Sequence, residues 1–256
     1  MQIRFTKRAL LGAVVCAVAT GAALLGATAA QAAGVPGQGT WETTLQGRDL
    51  DGNALNGPEA FYDTALNVTW LRNGNVNGLM NWDDANAWAN SLVVGGIGDW
   101  RLPTMVDTGD PGCDDSDAGG TDCGFNVQTR SGATTYSEMA HLFYETLGNK
   151  ALCDPALSTI NHCVQQPGYG LSNTANFQSL QSYPYWSGLV YAPDTRVAWG
   201  FFTNLGLQAP LFRTERLYAL AVHPGDVAPP IPEPQTLALM LAGLGALLLV
   251  RRRRPR

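Results

Sequence analysis

Hydrophobic and polar residues alternate with a helical period in one segment of the chain. Asn81 is a favourable N-cap, and Asp83 and Asp84 follow in the first turn, where the helix dipole favours negative charge. Apolar residues then recur at helical spacing and form one face: Trp82, Ala85, Trp88, Ala89 and Leu92. We predict a helix that ends before Gly95-Gly96 and packs its aromatic face into the core. The alternative is that this face forms a sugar-stacking surface.

A second run of helical period predicts a helix from Ser137 to Leu147, with Gly148 as its stop and Met139, Leu142, Phe143 and Leu147 facing inward. Short apolar runs predict strands at Phe61–Asp63, Val68–Leu71, Tyr185–Ser187, Val197–Thr203, Leu207–Ala209 and, centrally, Leu217–Val222. Asn204-Leu205-Gly206 is predicted as a hairpin turn. Helices followed by antiparallel strands indicate a single α+β domain with short antiparallel sheets.

Three stretches have neither the helical hydrophobic period nor the short apolar runs of strands. Residues 33–58 are predicted as a leader, which is loose to Thr40 and rich in turns from Thr44 to Pro58. Met105–Thr135 is predicted as a long loop, and Asn149–Ser182 as a second irregular stretch. Structureless segments of this length are usually functional or disordered.

The first 32 residues have the pattern of a secretory signal peptide. Basic residues (Arg4, Lys7 and Arg8) precede an apolar run from Ala9 to Leu25, and Ala30-Gln31-Ala32 supplies small residues for cleavage. We predict export and cleavage after Ala32. The alternative, an N-terminal membrane anchor, is disfavoured by the short apolar run and the Ala-x-Ala exit.

Residues 227–256 combine a proline-rich stretch, an apolar run and a basic end. Pro232-Glu233-Pro234 precedes Leu237–Val250, which has 14 residues and no charge. As a helix this run is about 21 Å long, shorter than the ~30 Å hydrocarbon core of a bilayer. Arginines follow at 251–254 and 256, and positive charge remains cytoplasmic. The tail therefore predicts a transient inner-membrane anchor that leaves the body outside.

The order of these features at the chain end resembles the PEP-CTERM sorting signal of Gram-negative bacteria. The resemblance rests on Pro232, Glu233 and Pro234, on the apolar run and on the terminal arginines. It implies an exosortase-type sorting enzyme as partner, with cleavage near the Pro-Glu-Pro. It also implies delivery to the cell surface or to the extracellular exopolysaccharide matrix of a biofilm.

Removal of both ends makes the chain strongly acidic. Of the 16 Lys and Arg residues, three lie in the predicted signal peptide and five in the tail, while all 21 Asp and Glu lie between Glu42 and Glu233. The exported body therefore carries eight cations against 21 anions, a net charge of −13. Such a body repels phosphate backbones, which excludes nucleic acid as an expected partner. It attracts divalent cations or basic partners.

Four cysteines remain after Cys16 leaves with the signal peptide: Cys113, Cys123, Cys153 and Cys163. An even number in an oxidising compartment predicts disulfides that pin the two long loops. Three pairings are open, and equal spacing favours Cys113–Cys123 and Cys153–Cys163. A metal site at His162-Cys163 is the alternative, which is disfavoured because adjacent ligands without a CxxC partner give poor zinc spacing.

The segment Gly98–Thr104 places an aromatic ring, a cation and a proline side by side. Leu102 precedes Pro103 and is therefore held extended. Arg101 has a donor fork that suits a fixed carboxylate, and Trp100 can bury its ring while its N–H finds an acceptor. We interpret the segment as a structural strip; a ligand-contacting Arg101 is the alternative.

Several segments together resemble the Lcl C-terminal-like domain, a family named after a bacterial collagen-like adhesin. They are Phe61-x-Asp63, Val68-Thr69-Trp70, the Trp-x-x-Ala helix, Gly98–Thr104, Tyr185-Trp186-Ser187, Ala198–Phe201 and Tyr218–Val222. The resemblance implies a domain over residues 59–226, a C-type-lectin-like fold and binding of polysaccharide. The chain departs from the family in its cysteine-containing insertion after Thr104 and in Gly188, where a serine is usual.

Carboxylates are dense in the first long loop, which contains Asp107, Asp110, Asp114, Asp115, Asp117 and Asp122. Ca²⁺ takes roughly six to eight oxygen ligands, and Asp114, Asp115, Asp117 and Asp122 are the candidates. Their spacing does not fit an EF-hand. We interpret the loop as a solvated acidic segment and keep Ca²⁺ binding as the alternative, with no other cofactor expected.

Catalytic chemistry is not indicated. His141, His162 and His223 are the only histidines, and the chain has no Gly-x-Ser-x-Gly, HExxH or P-loop motif. A formylglycine-type oxidase needs reactive thiols, which the predicted pairing removes. We therefore expect an exported, non-enzymatic surface or matrix protein. The alternatives are a glycan- or Ca²⁺-binding adhesin module and an enzyme of unknown chemistry.

Overall fold

Residues 34–109 and 116–227 are described by the computed structural model of the chain. The predicted signal peptide and the sorting motif Pro232–Pro234 lie outside these residues. So do Cys113, Asp110, Asp114 and Asp115 of the first long loop.

Two four-stranded antiparallel sheets form the frame. The first has the order β1-β2-β3-β10, with β1 at Leu45–Arg48, β2 at Ala60–Asp63, β3 at Val68–Leu71 and β10 at Val222–Pro224. The second has the order β4-β9-β8-β7, with β4 at Gly124–Phe125, β7 at Pro184–Val190, β8 at Val197–Phe202 and β9 at Leu207–Phe212. Strands β5 (Arg130–Ser131) and β6 (Thr134–Thr135) form a separate ribbon.

Large aromatic side chains fill the core around these sheets. Trp70, Trp100, Trp186 and Trp199 are each at most 1 % exposed. Trp70 on β3 is flanked in register by Phe61 of β2 and Val222 of β10. Rings of this size bury much apolar area, so they account for a large share of the stability of the fold.

The two predicted helices are present. Helix α2 spans Trp82–Ser91, and the Asn81 side chain caps it by accepting a hydrogen bond from the Asp84 N–H at 2.9 Å. The second begins after Ser137, whose hydroxyl accepts from the Ala140 N–H at 3.1 Å. It runs as α3 over Glu138–His141 and continues as a π-helical turn over Leu142–Thr146. A one-turn helix, α1 at Trp41–Thr44, precedes both.

The prediction that residues 33–58 form a loose, turn-rich leader is wrong for residues 41–48, whereas turns and bends are found from Gly34 to Thr40 and between Leu50 and Asn56. Leu45–Arg48 forms β1, which pairs along its whole length with β2. Upstream, Gly39 lies against the end of the second helix, where a Cβ on Gly39 would stand 2.4 Å from the Thr146 carbonyl oxygen. Gly39 and Gly148 both have positive φ (+77° and +65°), which allows the two backbones to approach this closely.

The prediction of a central strand at Leu217–Val222 is also wrong for most of its length. The segment is buried, but its backbone bonds in turn to Met80, Pro184 and Arg101, which lie on different elements. It bonds to β7 of the second sheet at Pro184 and to β3 of the first sheet at Leu71, and β10 begins only at Val222. The first long loop likewise contains β4, β5 and β6, each of two residues, where no regular element was predicted.

The architecture agrees with the predicted α+β class at a coarse level. The described residues contain few helices and several short antiparallel sheets, together with the disulfide Cys153–Cys163. The Asn204–Gly206 turn joins β8 to β9 as predicted, with Gly206 at φ +63°.

Candidate functional site

The Gly98–Thr104 strip is bound into the fold at each of its distinctive side chains. Trp100 donates its ring N–H to the Ile97 carbonyl oxygen at 2.9 Å. Arg101 makes two parallel hydrogen bonds of 2.8 Å to the buried Glu138 carboxylate, which also accepts the Thr104 N–H at 2.8 Å. Pro103 is buried beside them. Both terminal nitrogens of Arg101 thus serve an internal carboxylate.

Two carboxylates of the Asp-rich loop are hydrogen-bonded, Asp107 to the rest of the protein and Asp122 within the loop itself. Asp107 accepts the ring N–H of Trp199 at 2.9 Å and the Ala192 N–H at 2.7 Å. Asp122, which is 2 % exposed, accepts both the N–H (3.0 Å) and the hydroxyl (2.7 Å) of Thr108. Asp117 is half-buried. Calcium binding by Asp114, Asp115, Asp117 and Asp122 stays a prediction, since the first two lie outside the described residues.

The second cysteine loop is closed by the Cys153–Cys163 disulfide, with an S–S distance of 2.02 Å. This pairing is the one that the spacing favoured. It engages the Cys163 sulfur, so a metal site at His162-Cys163 does not form. Cys123 is also disulfide-bonded. Its pairing with Cys113 stays a prediction, because Cys113 lies outside the described residues.

The histidines occupy three different environments. His141 is 6 % exposed, and neither of its ring nitrogens has a hydrogen-bond partner. Burial, helped by the positive charge of Arg130, lowers its pKa from 6.5 to about 4. His223 packs edge-on against Trp100, with ring centroids 5.7 Å apart, and His162 is exposed. No hydrogen bond links any of them to a nucleophile within residues 34–109 and 116–227.

An open cleft of about 350 Å³ lies at the ends of β2 and β3. Its polar lining consists of Asn56, Glu59, Arg72, Asn73 and Gln178, and its apolar lining of Pro58, Leu71 and Val94. Glu59 directly precedes β2 and Arg72 directly follows β3, and the Arg72 N–H donates to the Glu59 carbonyl at 2.9 Å. The hairpin thus brings a carboxylate and a guanidinium to one rim.

Sequence reasoning missed this cleft, although one signal for it existed. Charged residues at the outer ends of two adjacent predicted strands become neighbours if those strands pair as a hairpin. Gln178 had no such signal, because it reaches the cleft through a bridge to Asn73 across about a hundred residues of chain. Its N–H donates to the Arg72 carbonyl, and its carbonyl accepts the Gly74 N–H.

Next to the cleft, the carboxylates of Asp49, Asp51 and Glu59 lie within 4.8 Å of one another. Each accepts a backbone N–H of the same loop: Gly52 for Asp49, Asn53 for Asp51 and Leu50 for Glu59. The Asn56 amide also donates to Asp51 and, as the largest cause, lowers the pKa of Asp51. The three acids therefore shape the loop that precedes β2.

Comparison with known proteins identifies one segment of the chain. Residues 230–254 match the PEP-CTERM protein-sorting motif, which indicates an exported protein that an exosortase sorts toward the cell surface. No curated protein and no solved structure matches the chain. Within the residues that the structure describes, no helix has the length and apolar character needed to span a bilayer.

Proposed function

We propose that this chain is a non-enzymatic protein of the cell surface or of the exopolysaccharide matrix, released from a transient inner-membrane anchor by cleavage of its tail. The match of residues 230–254 to the sorting motif carries this proposal. The acidic body and its disulfides suit an extracellular protein.

The end of the folded body supports presentation of the motif at short range. Asp226 is held by Arg48 through two hydrogen bonds of 2.6 and 2.8 Å, and Val227 is 4 % exposed. Even a fully extended chain from Val227 to Pro232 reaches only about 18 Å. The sorting enzyme must therefore work close to the body.

Deletion of residues 232–256 is expected to abolish surface display while export continues. The signal peptide still directs export, but the truncated chain has neither the recognition motif nor the apolar anchor. Fractionation followed by immunoblotting should find it in the soluble exported fraction at the mass of the body. Unchanged surface display of the truncated chain would contradict the proposal.

A matched variant separates recognition from anchoring. Replacement of Pro232, Glu233 and Pro234 by alanine leaves the apolar run and the arginines in place. We expect this variant to stay in the membrane fraction as an uncut precursor, which mass spectrometry distinguishes from the cut form. Normal cutting would show that the Pro-Glu-Pro is not the recognised element.

We also propose that residues 59–226 form an Lcl C-terminal-like domain with a C-type-lectin-like fold. The family-like segments and the mixed α+β architecture support this assignment. A non-enzymatic role is supported by His141, which is buried without partners, and by Arg101, which serves an internal carboxylate.

A glycan- or Ca²⁺-binding adhesin module is the second candidate function. The polar cleft around Arg72 favours glycan binding, because hydroxyl-rich ligands need convergent donors and acceptors beside an apolar wall. A glycan array run with and without chelator separates this candidate from a passive matrix protein. Calorimetric titration with Ca²⁺ tests the metal directly: heat with a raised melting temperature supports binding, and the absence of both ends the calcium hypothesis.

A further inference from the structure

The guanidinium of Arg72 lines the cleft without a carboxylate partner. Four other arginines of the described residues form ion pairs, whereas no carboxylate oxygen lies within 4.0 Å of Arg72. One terminal nitrogen, Nη1, donates to the carbonyls of Asn56 (3.1 Å) and Pro58 (2.9 Å). These bonds fix the guanidinium while its Nε and Nη2 donors remain unused by the protein. An orientated fork with spare donors suits a carboxylate, which it binds through two parallel hydrogen bonds.

Two amide side chains extend this donor set. The Asn73 Oδ1 accepts the Asn75 N–H at 2.9 Å, which leaves its NH₂ group for a ligand. The Gln178 side chain makes no hydrogen bond, although the backbone of Gln178 is fixed on both sides by Arg72 and Gly74. Amides of this kind both donate to and accept from hydroxyl groups.

Glu59 gives the cleft a polarity. One of its oxygens accepts the Leu50 N–H at 2.7 Å, and its negative charge repels a ligand carboxylate from that end. A ligand with one carboxylate therefore places it at Arg72 and directs its hydroxyls toward Glu59 and the amides. Pro58, Leu71 and Val94 supply an apolar wall for the C–H face of such a ligand.

We propose that the Arg72 cleft binds a sugar acid, a small polyhydroxylated carboxylate of the hexuronate type. The volume of about 350 Å³ lies in the range of small-molecule sites. The same chemistry is presented by a free sugar acid and by a unit of an acidic polysaccharide, and the free acid is the favoured source because the net charge of −13 repels a polyanion. The inference rests on the glycan-binding candidate function and is independent of the sorting tail.

Titration calorimetry on the exported chain tests this site with glucuronate, glucose and a short oligoglucuronate. We expect glucuronate to bind at least tenfold more tightly than glucose. Arg72→Gln should weaken glucuronate binding at least tenfold. Arg130→Gln is the matched control, because Arg130 also donates only to carbonyls, those of Ala65 and Gly132, and is not part of the cleft lining. It should leave the affinity unchanged.

A second variant covers the possibility that Arg72→Gln disturbs the loop before β2. Gln178→Ala removes a side chain without internal hydrogen bonds and should weaken glucuronate binding threefold or more. Binding of the oligomer alone, weakened in both variants, supports the cleft and assigns a polymer as the source. Acidic-sugar binding that survives both variants overturns the cleft but not the glycan candidate. Absence of any binding, or equal affinity for glucose and glucuronate, overturns the proposal.

Discussion

Replacement of Arg101 by alanine is expected to lower the free energy of unfolding by about 3 kcal/mol. Glu138, whose side chain is 6 % exposed, would then keep only one of its three hydrogen bonds, the one from the Thr104 N–H. A buried carboxylate that loses its cation costs several times more than a solvated ion pair contributes. Urea unfolding followed by tryptophan fluorescence measures the loss as a lower midpoint with an unchanged m-value.

Three further variants make this prediction specific. Arg196→Ala breaks an exposed ion pair with Asp194 and is the matched control, with little change expected. Arg101→Lys keeps the charge but not the fork, so it should fall between wild type and Arg101→Ala. Replacing Arg101 by methionine together with Glu138 by leucine should restore most of the stability. An Arg101→Ala loss no larger than that of Arg196→Ala would contradict the role assigned to the pair.

Elements whose physical cause lies within a few neighbouring residues could be predicted from the sequence. Helix α2 was predictable because Asn81 caps it and the acids of its first turn follow at once. Ser137 marks the next helix start in the same way. The Asn204–Gly206 turn carries its own glycine at positive φ. Each signal acts over three or four residues, so its physical cause lies within the segment that it defines.

Where an element depends on residues distant in sequence, the hydrophobic pattern gives no prediction or a wrong one. Strand β1 contains Gln46 and Gly47 and becomes a strand only because the β2 backbone lies beside it. Leu217–Val222 is an apolar run that is buried except at the half-buried Tyr218, and a central strand and an irregular buried segment share this pattern. The approach of Gly39 to Gly148 spans over a hundred residues.

The candidate cleft follows the same division. Glu59 and Arg72 meet because a hairpin pairs their strands, which hydrophobic alternation can indicate. Gln178 completes the cleft from an irregular stretch with no period, so only the folded chain brings it there. The Asp-rich loop, by contrast, was a candidate site because of its composition alone. In the structure, Asp107 and Asp122 accept hydrogen bonds from backbone and side-chain donors.

Acidification from pH 6.5 to 4 is expected to cost the fold about 3 kcal/mol through His141 alone, at 1.36 kcal/mol per pKa unit. Burial lowers the pKa of His141 from 6.5 to about 4 in the folded state. As the pH falls through 6.5, His141 binds a proton in the unfolded chain, whereas in the folded chain it does so only near pH 4. The stability is therefore complete above pH 6.5, declines between these values, and levels off below pH 4.

The contribution of His141 can be isolated because its ring nitrogens make no hydrogen bond. His141→Leu removes the titration without removing a bond, so it should flatten the decline between pH 6.5 and 4. Burial raises the pKa of Asp63, which opposes the decline at its acid end, and both proteins share this effect. Urea unfolding across this pH range, with the exposed His162→Leu as control, gives the difference. Parallel curves for wild type and His141→Leu would mean that the pKa of His141 is the same in the folded protein as in the unfolded chain. Burial would then not exclude the charge.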